Sequence, residues 1–538
     1  MKRNLLFLFL WCIPILYYAQ QEDARVYLTD KQNVAASLIN PISILTQKAI
    51  DRKEKHGVLI DERDVPVNEN YILQLKAQPG ITVLAKSKWF NAVHIRGTEM
   101  NIKALTGLSF VKSIDFADKS LNLKQVKQKK ESKRETASTS FIYGNALNQI
   151  QMINGDQLHL DDYTGNGMTI AVLDAGFPDV HLMASFQRLR DAGHILDDYD
   201  FVNRDDDVYT NTLSSHGTWV LSTMAGYVEN YYVGTAPDAS YYLFITEDVA
   251  NENPVEESYW VEAAERADSL GVDVINTSLG YTTFDNPNYN YATSDMNGNT
   301  AFISKGANIA FEKGMLLVNS AGNDGNNGWK IVGAPADAAG VFTIGAVDAS
   351  GDYAYFSSVG SPIQPTHKPD VVAQGLGSAV IDINDAIIAL NGTSLSSPIL
   401  AGGIACLWQA LPNKTNAEIM QIIRASASQF SSPDYFLGYG IPNLQLALNN
   451  GLSSGDSQEN NFDIKIYPNP VSHILNISLP SNDNKSEGIF YNILGKKVLE
   501  IDIDKNKSQL DLSFLSNGLY LLKIESQTFS KIFKIVKN

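Results

Sequence analysis

Four apolar runs within residues 168–347 constrain the fold more than any other feature of this 538-residue chain. The runs are TIAVL, VDVIN, MLLVN and VFTIGAV, and small or polar residues follow each of them. Strands that are apolar on both faces belong to parallel sheets with helices on each side. The stretch VEESYWVEAAERADSLG before VDVIN has the pattern of a crossover helix. The sequence therefore predicts an α/β domain with a mainly parallel central sheet, at residues 141–450.

Polar residues that follow apolar runs are the candidates for a site, since ligands of such sheets bind beyond the carboxyl ends of the strands. Asp174 follows TIAVL, and Asn323 follows MLLVN. His216 in SSHGTWV and Ser394 in NGTSLSSP complete the set. Brought together, Ser can attack a carbonyl, His can accept its proton, and Asp can orient the imidazole. A side-chain amide such as that of Asn323 can complete an oxyanion hole.

Three serines compete for the role of nucleophile in GTSLSSP. Pro398 has no N–H and fits the first turn of a helix, so the helix that follows should begin near residues 393–396. Ser394 then lies at the helix N-terminus, where its backbone N–H has no intrahelical partner and can face an oxyanion. Ser396 and Ser397 fall in the first turn as ordinary polar residues. We therefore assign Ser394, and the motif around it supports the choice.

Six motifs occur in the order in which the subtilisin-like serine proteases carry them: AVLDAG, HGT, VINTSLG, SAGN, KPDVVAQG and GTSLSSP. Residues 141–450 therefore resemble the subtilases, peptidase family S8, and the chain order Asp, His, Ser is that of subtilisin. The resemblance implies a three-layer subtilisin-like domain and a serine-type endopeptidase. Asp174 matches the orienting acid, His216 the general base and Ser394 the nucleophile. Asn323 matches the oxyanion-hole donor.

The resemblance also implies where substrate binds and where this chain departs from the family. Ser278, Leu279 and Gly280 match the edge strand on which an extended peptide adds as a further strand. Ala175 stands where the family usually has Ser or Thr, and Leu395 stands where it usually has Met. Leucine keeps the volume of methionine and removes an oxidisable thioether. We therefore expect unusual tolerance of peroxide.

The N-terminal part of the chain has the pattern of a leader followed by a propeptide. In residues 1–19, Lys2 and Arg3 precede an apolar run too short to span a membrane, as in a secretory signal peptide. Residues 20–135 have the place and size of the propeptide that subtilases commonly carry, with mixed α and β patterns. From about residue 121 they become a basic linker with few apolar side chains, which suits a cleavage site. A permanently attached accessory domain is the alternative.

The C-terminal part of the chain predicts a separate small module. Residues 451–462 form a polar linker, and residues 463–538 contain short alternating segments between Pro, Asn and Gly turns, as in an all-β module. This module resembles the C-terminal sorting domain of the type IX secretion system of Bacteroidetes. The matching elements are Tyr467-Pro468-Asn469-Pro470, Gly495 and Gly518-Leu519-Tyr520. The resemblance implies a secreted or surface-attached protein, and a carbohydrate-binding module is the structural alternative.

Charge and composition restrict the partners. A net charge of −17 argues against nucleic acid, because phosphate binding depends on Lys and Arg. No metal ligands are assigned and no cofactor is required. The acidic stretch DDYDFVNRDDDVY leaves a structural calcium ion open, although a solvated acidic loop is the favoured interpretation. Removal of the leader would leave Cys406 as the only cysteine, so the exported protein would contain no disulfide.

The combined prediction is a secreted serine endopeptidase that hydrolyses peptide bonds in proteins. Its partners would be protein or peptide substrates, its own propeptide as an intramolecular inhibitor, and the type IX secretion machinery. The alternative from another functional class is a catalytically inactive protein of the subtilase fold that binds partners at the cell surface. The complete set of motifs argues against this alternative, since inactive members usually lose a triad residue.

Overall fold

The described part of the computed structural model comprises residues 20–122, 141–210, 212, 214–453, 465–478, 485–492, 496–504, 509–525 and 530–538. The predicted leader, nearly all of the basic linker, most of the polar linker and Gly495 lie outside it. Of the helices in these ranges, none has the length and apolar character needed to cross a membrane.

Residues 20–122 form an α+β unit, as the sequence predicted. Its strands are β1 (Gln21–Leu28), β2 (Ile81–Ser87), β3 (Ala92–Thr98) and β4 (Val111–Phe116). They pair antiparallel in the order β2-β3-β1-β4. The helices are α1 (Val34–Ile39), α2 (Gln47–Lys55), α3 (Glu69–Lys76) and α4 (Glu99–Ala104). Alternate residues of β1, from Ala24 to Leu28, enter a core that belongs to this unit, so it is a separate packing unit.

The middle of the chain contains a seven-stranded parallel sheet. Its strands are β5 (Thr169–Asp174), β6 (Ile195–Asp200), β9 (Ser240–Ile245), β10 (Val274–Thr277), β11 (Leu316–Ser320), β12 (Val341–Val347) and β13 (Val371–Gln374), and the hairpins are β7 (Tyr227–Val228) with β8 (Tyr232–Val233) and β14 (Ser378–Ile381) with β15 (Ile387–Leu390). The strand order is β13-β12-β11-β10-β5-β9-β6, and every pair in the sheet is parallel. The prediction of a mainly parallel sheet is confirmed.

Helices cover both faces of this sheet and make it the middle of three layers. They are α5 (Leu147–Met152), α6 (Gly155–Leu160), α7 (Gln187–Asp191), α8 (His216–Ala225), α9 (Val255–Leu270), α10 (Phe302–Glu312), α11 (Thr393–Ala410), α12 (Asn416–Arg424) and α13 (Leu444–Ser453). Helix α11 packs on β10 to β13 and against α8, whereas α9 and α10 pack together on the opposite face. The crossover helix predicted before VDVIN is α9.

Successive residues of the central strands point into different layers. In β5, Ile170 and Val172 join the core under α8 and α11, and Ala171 and Leu173 join the core under α9 and α10. This alternation follows from the two-residue period of a strand, and both sets are fully buried. Burial on both faces is why these strands appear in the sequence as continuous apolar runs.

The C-terminal residues form the predicted all-β module. Its strands are β16 (Lys465–Tyr467), β17 (Ile474–Ser478), β18 (Lys485–Asn492), β19 (Lys497–Asp504), β20 (Gln509–Asp511), β21 (Gly518–Glu525) and β22 (Ser530–Lys537). They make two antiparallel sheets with orders β16-β17-β20 and β19-β18-β21-β22. Side chains from both sheets share one apolar core that includes Leu475, Phe490 and Leu522.

The N-terminal unit packs against α9 through its sheet. Strand β2 and the turn after it contact this helix, and the Glu265 carboxylate accepts the backbone N–H groups of Lys88 at 2.8 Å and Trp89 at 2.9 Å. Lys53 of α2 is fully buried and donates to both oxygens of Asp268, at 2.7 and 2.9 Å. The contact therefore combines apolar packing with buried charge pairs.

Candidate active site

A short hydrogen bond joins Asp174 to His216. Asp174 is the last residue of β5 and is fully buried, and His216 is the first residue of α8. His216 Nδ1 donates to Asp174 Oδ1 at 2.7 Å. This bond fixes the tautomer and the orientation of the imidazole, so Nε2 is the nitrogen available for proton transfer.

The two oxygens of the Asp174 carboxylate have different surroundings. Oδ1 also accepts the backbone N–H of Ala175 at 2.8 Å. Oδ2 is buried and makes no hydrogen bond to any residue in the described ranges. A Ser or Thr at position 175 would bring a hydroxyl next to this carboxylate, and Ala175 brings none. The departure seen in the sequence thus coincides with an unpaired oxygen on the acid.

The protonation of His216 depends on its partner. Burial lowers the pKa of the imidazole, but the charge and hydrogen bond of Asp174 outweigh it, with a further contribution from the charge of Glu247. The net result is a raised pKa for His216. Because a general base must be neutral to accept a proton, an activity that uses His216 falls as the pH drops through this raised pKa.

Ser394 is the second residue of α11, which begins at Thr393, inside the predicted range. The expectation that Pro398 lies in the first turn is wrong, because it is the sixth residue of the helix. Pro398 cannot donate to the carbonyl four residues before it, which is that of Ser394. Ser278 Oγ donates to that carbonyl instead, at 2.9 Å. Because of Pro398, the Ser394 carbonyl is left without its helical donor. The bond from Ser278 to this carbonyl connects the segment after β10 to the predicted nucleophile.

The two neighbouring serines have structural partners. Ser396 Oγ donates to the Thr393 carbonyl at 3.0 Å, and Ser397 Oγ donates to Asn276 Oδ1 at 2.9 Å. Both serines are fully buried, whereas Ser394 is partly exposed and lines the cavity described below. This difference in access agrees with the choice of Ser394.

Asn323 is held with its amide nitrogen available. Its Oδ1 accepts the backbone N–H of Thr393 at 2.9 Å and the hydroxyl of Thr393 at 3.1 Å. A Cβ placed on Gly392 would lie 2.8 Å from Ser394 Oγ and 3.9 Å from Asn323 Nδ2. The Ser394 hydroxyl and the Asn323 amide therefore lie on the same side of Gly392. A side chain at position 392 would crowd the Ser394 hydroxyl.

A cavity of about 550 Å³ brings most of the predicted residues together. Its wall includes His216, Ser394, Asn323, Ser278 and Leu279. Asp174 lies behind the imidazole, and its neighbour Ala175 reaches the wall. Gly280 is exposed and is not part of the wall. Residues 278–280 continue from β10 without being paired as a strand.

The same cavity has an acidic side that our sequence analysis missed. The carboxylates on its wall are those of Glu247, Asp248, Glu252, Glu256 and Asp285. Glu247 follows β9, whose sequence SYYLFI was a further apolar run with an acidic residue near its carboxyl end. The rule that pointed to Asp174 and Asn323 could therefore have found Glu247 as well.

The stretch considered for calcium forms the end of β6 and the turn after it. Asp200 Oδ1 accepts the backbone N–H groups of Val202 and Asn203, and Asp207 Oδ1 accepts those of Tyr209 and Thr210. Within the described ranges, no group of three or more His, Cys, Asp or Glu side chains is placed to hold a metal ion. No step of the mechanism below uses a metal.

A parallel three-layer fold with a buried Asp–His pair and a serine at a helix start defines a serine hydrolase. Family models give its place among them. Residues 165–440, just over half of the chain, match the subtilase family, and the chain belongs to that family. Residues 23–135 match the peptidase S8 propeptide domain of Bacteroidota, and residues 465–538 match the secretion system C-terminal sorting domain.

Two sequence relatives agree with this assignment. Subtilisin NAT of Bacillus subtilis subsp. natto is 31% identical over 304 residues, which cover 55% of this chain and 70% of that protein. The thermostable alkaline protease of Halalkalibacterium halodurans is 26% identical over 419 residues, covering 76% of this chain and 98% of that protein. The crystal structure of MycP1 with its N-terminal propeptide removed is 23% identical, with a TM-score of 0.44, and covers 56% of this chain and 96% of that one.

The family assignment settles the broad activity. The chain is a serine-type endopeptidase with a propeptide domain, and its C-terminal sorting domain indicates export by the type IX system, with release or attachment at the cell surface. These findings confirm the predicted class, fold and location.

Proposed function

We propose that this protease works through Asp174, His216 and Ser394, with Asn323 in its oxyanion hole. The observation that carries the proposal is the 2.7 Å bond from His216 Nδ1 to the buried Asp174, in a cavity whose wall also holds Ser394 and Asn323. The protein then hydrolyses peptide bonds in proteins outside the cell. The competing function, an inactive surface-binding protein, has no need for this pairing.

In the first chemical step, Ser394 Oγ bonds to the carbonyl carbon of the scissile peptide as His216 Nε2 takes the hydroxyl proton. Asp174 stabilises the imidazolium that forms and keeps its orientation. His216 then gives the proton to the leaving amine as the carbon–nitrogen bond breaks. Water, activated by the same imidazole, hydrolyses the acyl-enzyme and regenerates Ser394.

The negative charge on the carbonyl oxygen is met by two donors. Asn323 Nδ2 is oriented for this because Thr393 occupies the amide oxygen. The backbone N–H of Ser394 lies in the first turn of α11 and has no intrahelical acceptor. Loss of one such donor costs about 100- to 1,000-fold in kcat in this kind of enzyme.

Substrate binds at the cavity wall, and the propeptide domain docks on α9. An extended peptide adds as a strand beside residues 278–280, which follow β10 and are not paired as a strand, and Ser278 and Leu279 of this segment lie on the cavity wall. The N-terminal unit, docked on α9, acts as the intramolecular inhibitor. Cleavage in the basic linker separates it from the protease domain.

Labelling by a fluorophosphonate tests the proposal. The wild-type protein should react with one equivalent and hydrolyse casein, and Ser394→Ala should do neither. Ser396→Ala is the matched control, because its hydroxyl bonds only within α11, and it should still be labelled. Absence of labelling in a folded wild-type protein freed of its propeptide would favour the inactive binding protein instead.

A further inference from the structure

The acidic wall of the catalytic cavity distinguishes this site. Five carboxyl groups line it, and among its described lining residues none is Lys or Arg. In the part of the chain that the structure describes, no ion pair joins any of the five to a cation. A substrate that reaches Ser394 therefore passes carboxyl groups with which no described Lys or Arg forms an ion pair.

The loop between β9 and α9 holds these carboxylates in place. Glu256 accepts the backbone N–H groups of Asp248 at 2.8 Å and Asn253 at 2.7 Å, which closes the loop on itself. The Tyr281 hydroxyl donates to Glu247 Oε1. Asp285 Oδ2 accepts the backbone N–H of Glu252 at 3.2 Å. These hydrogen bonds fix the positions of the carboxyl groups of Glu247, Glu256 and Asp285 on the wall.

The charges on this wall destabilise one another. Burial raises the pKa of Glu247 to about 8, and the charges of Glu252 and Asp174 add to the effect, against a lowering by the Tyr281 hydrogen bond. Burial also raises the pKa of Glu256 to about 10, with the charge of Glu247 as the next cause. A cation placed among them favours their charged forms and is favoured in return.

We propose that the wall formed by Glu247, Glu252 and Asp285 is a subsite for a Lys or Arg side chain of the substrate, close to the scissile bond. The inference rests on the proposed protease function and names its substrate class. A metal ion is a poor occupant, because no group of three or more ligating side chains in the described ranges is arranged for one. A flexible cationic side chain on an extended peptide, unlike a metal ion, can bind to negative charge without a fixed arrangement of ligands.

The chain itself carries a segment with the required charge. The linker between the propeptide domain and the protease domain reads LKQVKQKKESKRETASTS and contains five lysines and one arginine. This is also the segment whose cleavage would separate the two domains. Charge complementarity between the linker and the cavity makes it the first substrate that the site would meet.

Matched fluorogenic peptides test the subsite. Each set has one sequence with Lys, norleucine or Glu at one of the four positions before the scissile bond. At one position, kcat/KM should be about tenfold higher for the Lys peptide than for the norleucine peptide, because the Lys ammonium can form strong hydrogen bonds to the carboxylates. The Glu peptide should have a lower kcat/KM than the norleucine peptide. This Lys-to-norleucine ratio should rise between pH 6.5 and 9, since the raised pKa of Glu247 leaves it mostly protonated at the lower end.

Variants assign the effect to the wall. At pH 9, where Glu247 is charged, Glu247→Gln and separately the exposed Glu252→Gln should each bring the ratio below about threefold. Glu229→Gln, which removes an exposed carboxylate outside the cavity, should keep the ratio. Equal rates for Lys and norleucine at every position, in an enzyme that a fluorophosphonate labels fully, would overturn the subsite alone. A ratio that survives both variants would also overturn it. Absence of both labelling and hydrolysis would overturn the subsite together with the proposed function.

Discussion

At the scale of single residues, we expect the position after the proposed nucleophile to affect how the enzyme responds to oxidants. Leu395 is 2% exposed and packs beside Ser394 at the start of α11. Oxidation of a methionine there would place a polar sulfoxide within a packed layer, next to the proposed nucleophile. Leucine fills a similar volume without the sulfur.

We predict that Leu395→Met makes the enzyme sensitive to peroxide. Wild type should keep most of its activity at a hydrogen peroxide dose that inactivates the variant at least about fivefold faster, because only the variant carries the thioether at this position. The measurement is residual peptidase activity against time, with mass spectrometry of the peptide that contains residue 395. Equal inactivation rates would show that oxidation elsewhere limits both proteins.

At the scale of secondary-structure elements, the central strands were predictable because burial on both faces leaves continuous apolar runs in the sequence. The start of α11 fell within the predicted residues 393–396, but the reason behind that prediction was wrong, since Pro398 is the sixth residue of the helix. The edge strand β6 was not, since its sequence ILDDYD is acidic and half-buried. The acidic wall was missed for a different reason. Its members come from the loop after β9, from the first turn of α9 and from Asp285, and only the folded chain shows which carboxylates face the cavity.

The contact between the N-terminal unit and helices α9 and α10 contains ion pairs of two kinds. Lys53 and Asp268 are both fully buried and lie 2.7 Å apart. Arg63 and Glu312 also lie 2.7 Å apart, but their side chains are 34% and 46% exposed. Asp268 also pairs with Arg52, so removal of Lys53 leaves a buried charge cluster with one cation fewer, whereas an exposed pair contributes little.

We predict that Lys53→Met weakens this contact far more than Arg63→Met does. Trypsin cleavage of the basic linker in the inactive Ser394→Ala chain gives a nicked complex whose two parts can separate. For Lys53→Met the Kd of this complex should rise about 30-fold, a cost of about 2 kcal/mol, which is less than for an isolated buried pair because Arg52 still pairs with Asp268. For Arg63→Met the rise should stay below about fivefold. Similar effects of the two variants would show that apolar packing, rather than buried charge, holds the unit in place.

At the scale of the whole molecule, two buried groups link the attachment of the propeptide domain to pH in opposite directions. His94 of β3 donates from Nε2 to Asp23 at 2.9 Å and accepts at Nδ1 from Ser258 of α9 at 2.8 Å. Burial lowers its pKa against the hydrogen bond and charge of Asp23, and the charges of Arg25 and Arg96 add to the lowering. Burial raises the pKa of Glu265 to about 7, against the charge of Lys88 and the hydrogen bond of Ser87.

The sign of each effect follows from the pKa in the complex and in the free parts. His94 takes up a proton more readily once it is exposed, so its contribution to binding is present above its ordinary pKa of about 6.5 and is lost as the pH falls below it. Glu265 holds a proton more tightly in the complex, so its contribution grows as the pH falls from about 7 towards its ordinary value of about 4.3. Between pH 7 and 5 the two groups therefore oppose each other.

Single variants should separate these opposing effects. In the nicked complex, Glu265→Gln leaves His94 unopposed, so the Kd should rise as the pH is lowered from 7 to 5, by up to about tenfold per unit. His94→Gln leaves Glu265 unopposed, so the Kd should fall over the same range. Calorimetric titration at pH 7, 6 and 5 measures both slopes, with wild type between them. The carboxyl of Asp23 has a lowered pKa and stays charged throughout this range, so it does not distort the comparison. Parallel slopes in the two variants would place the pH dependence of propeptide release outside the contact with α9.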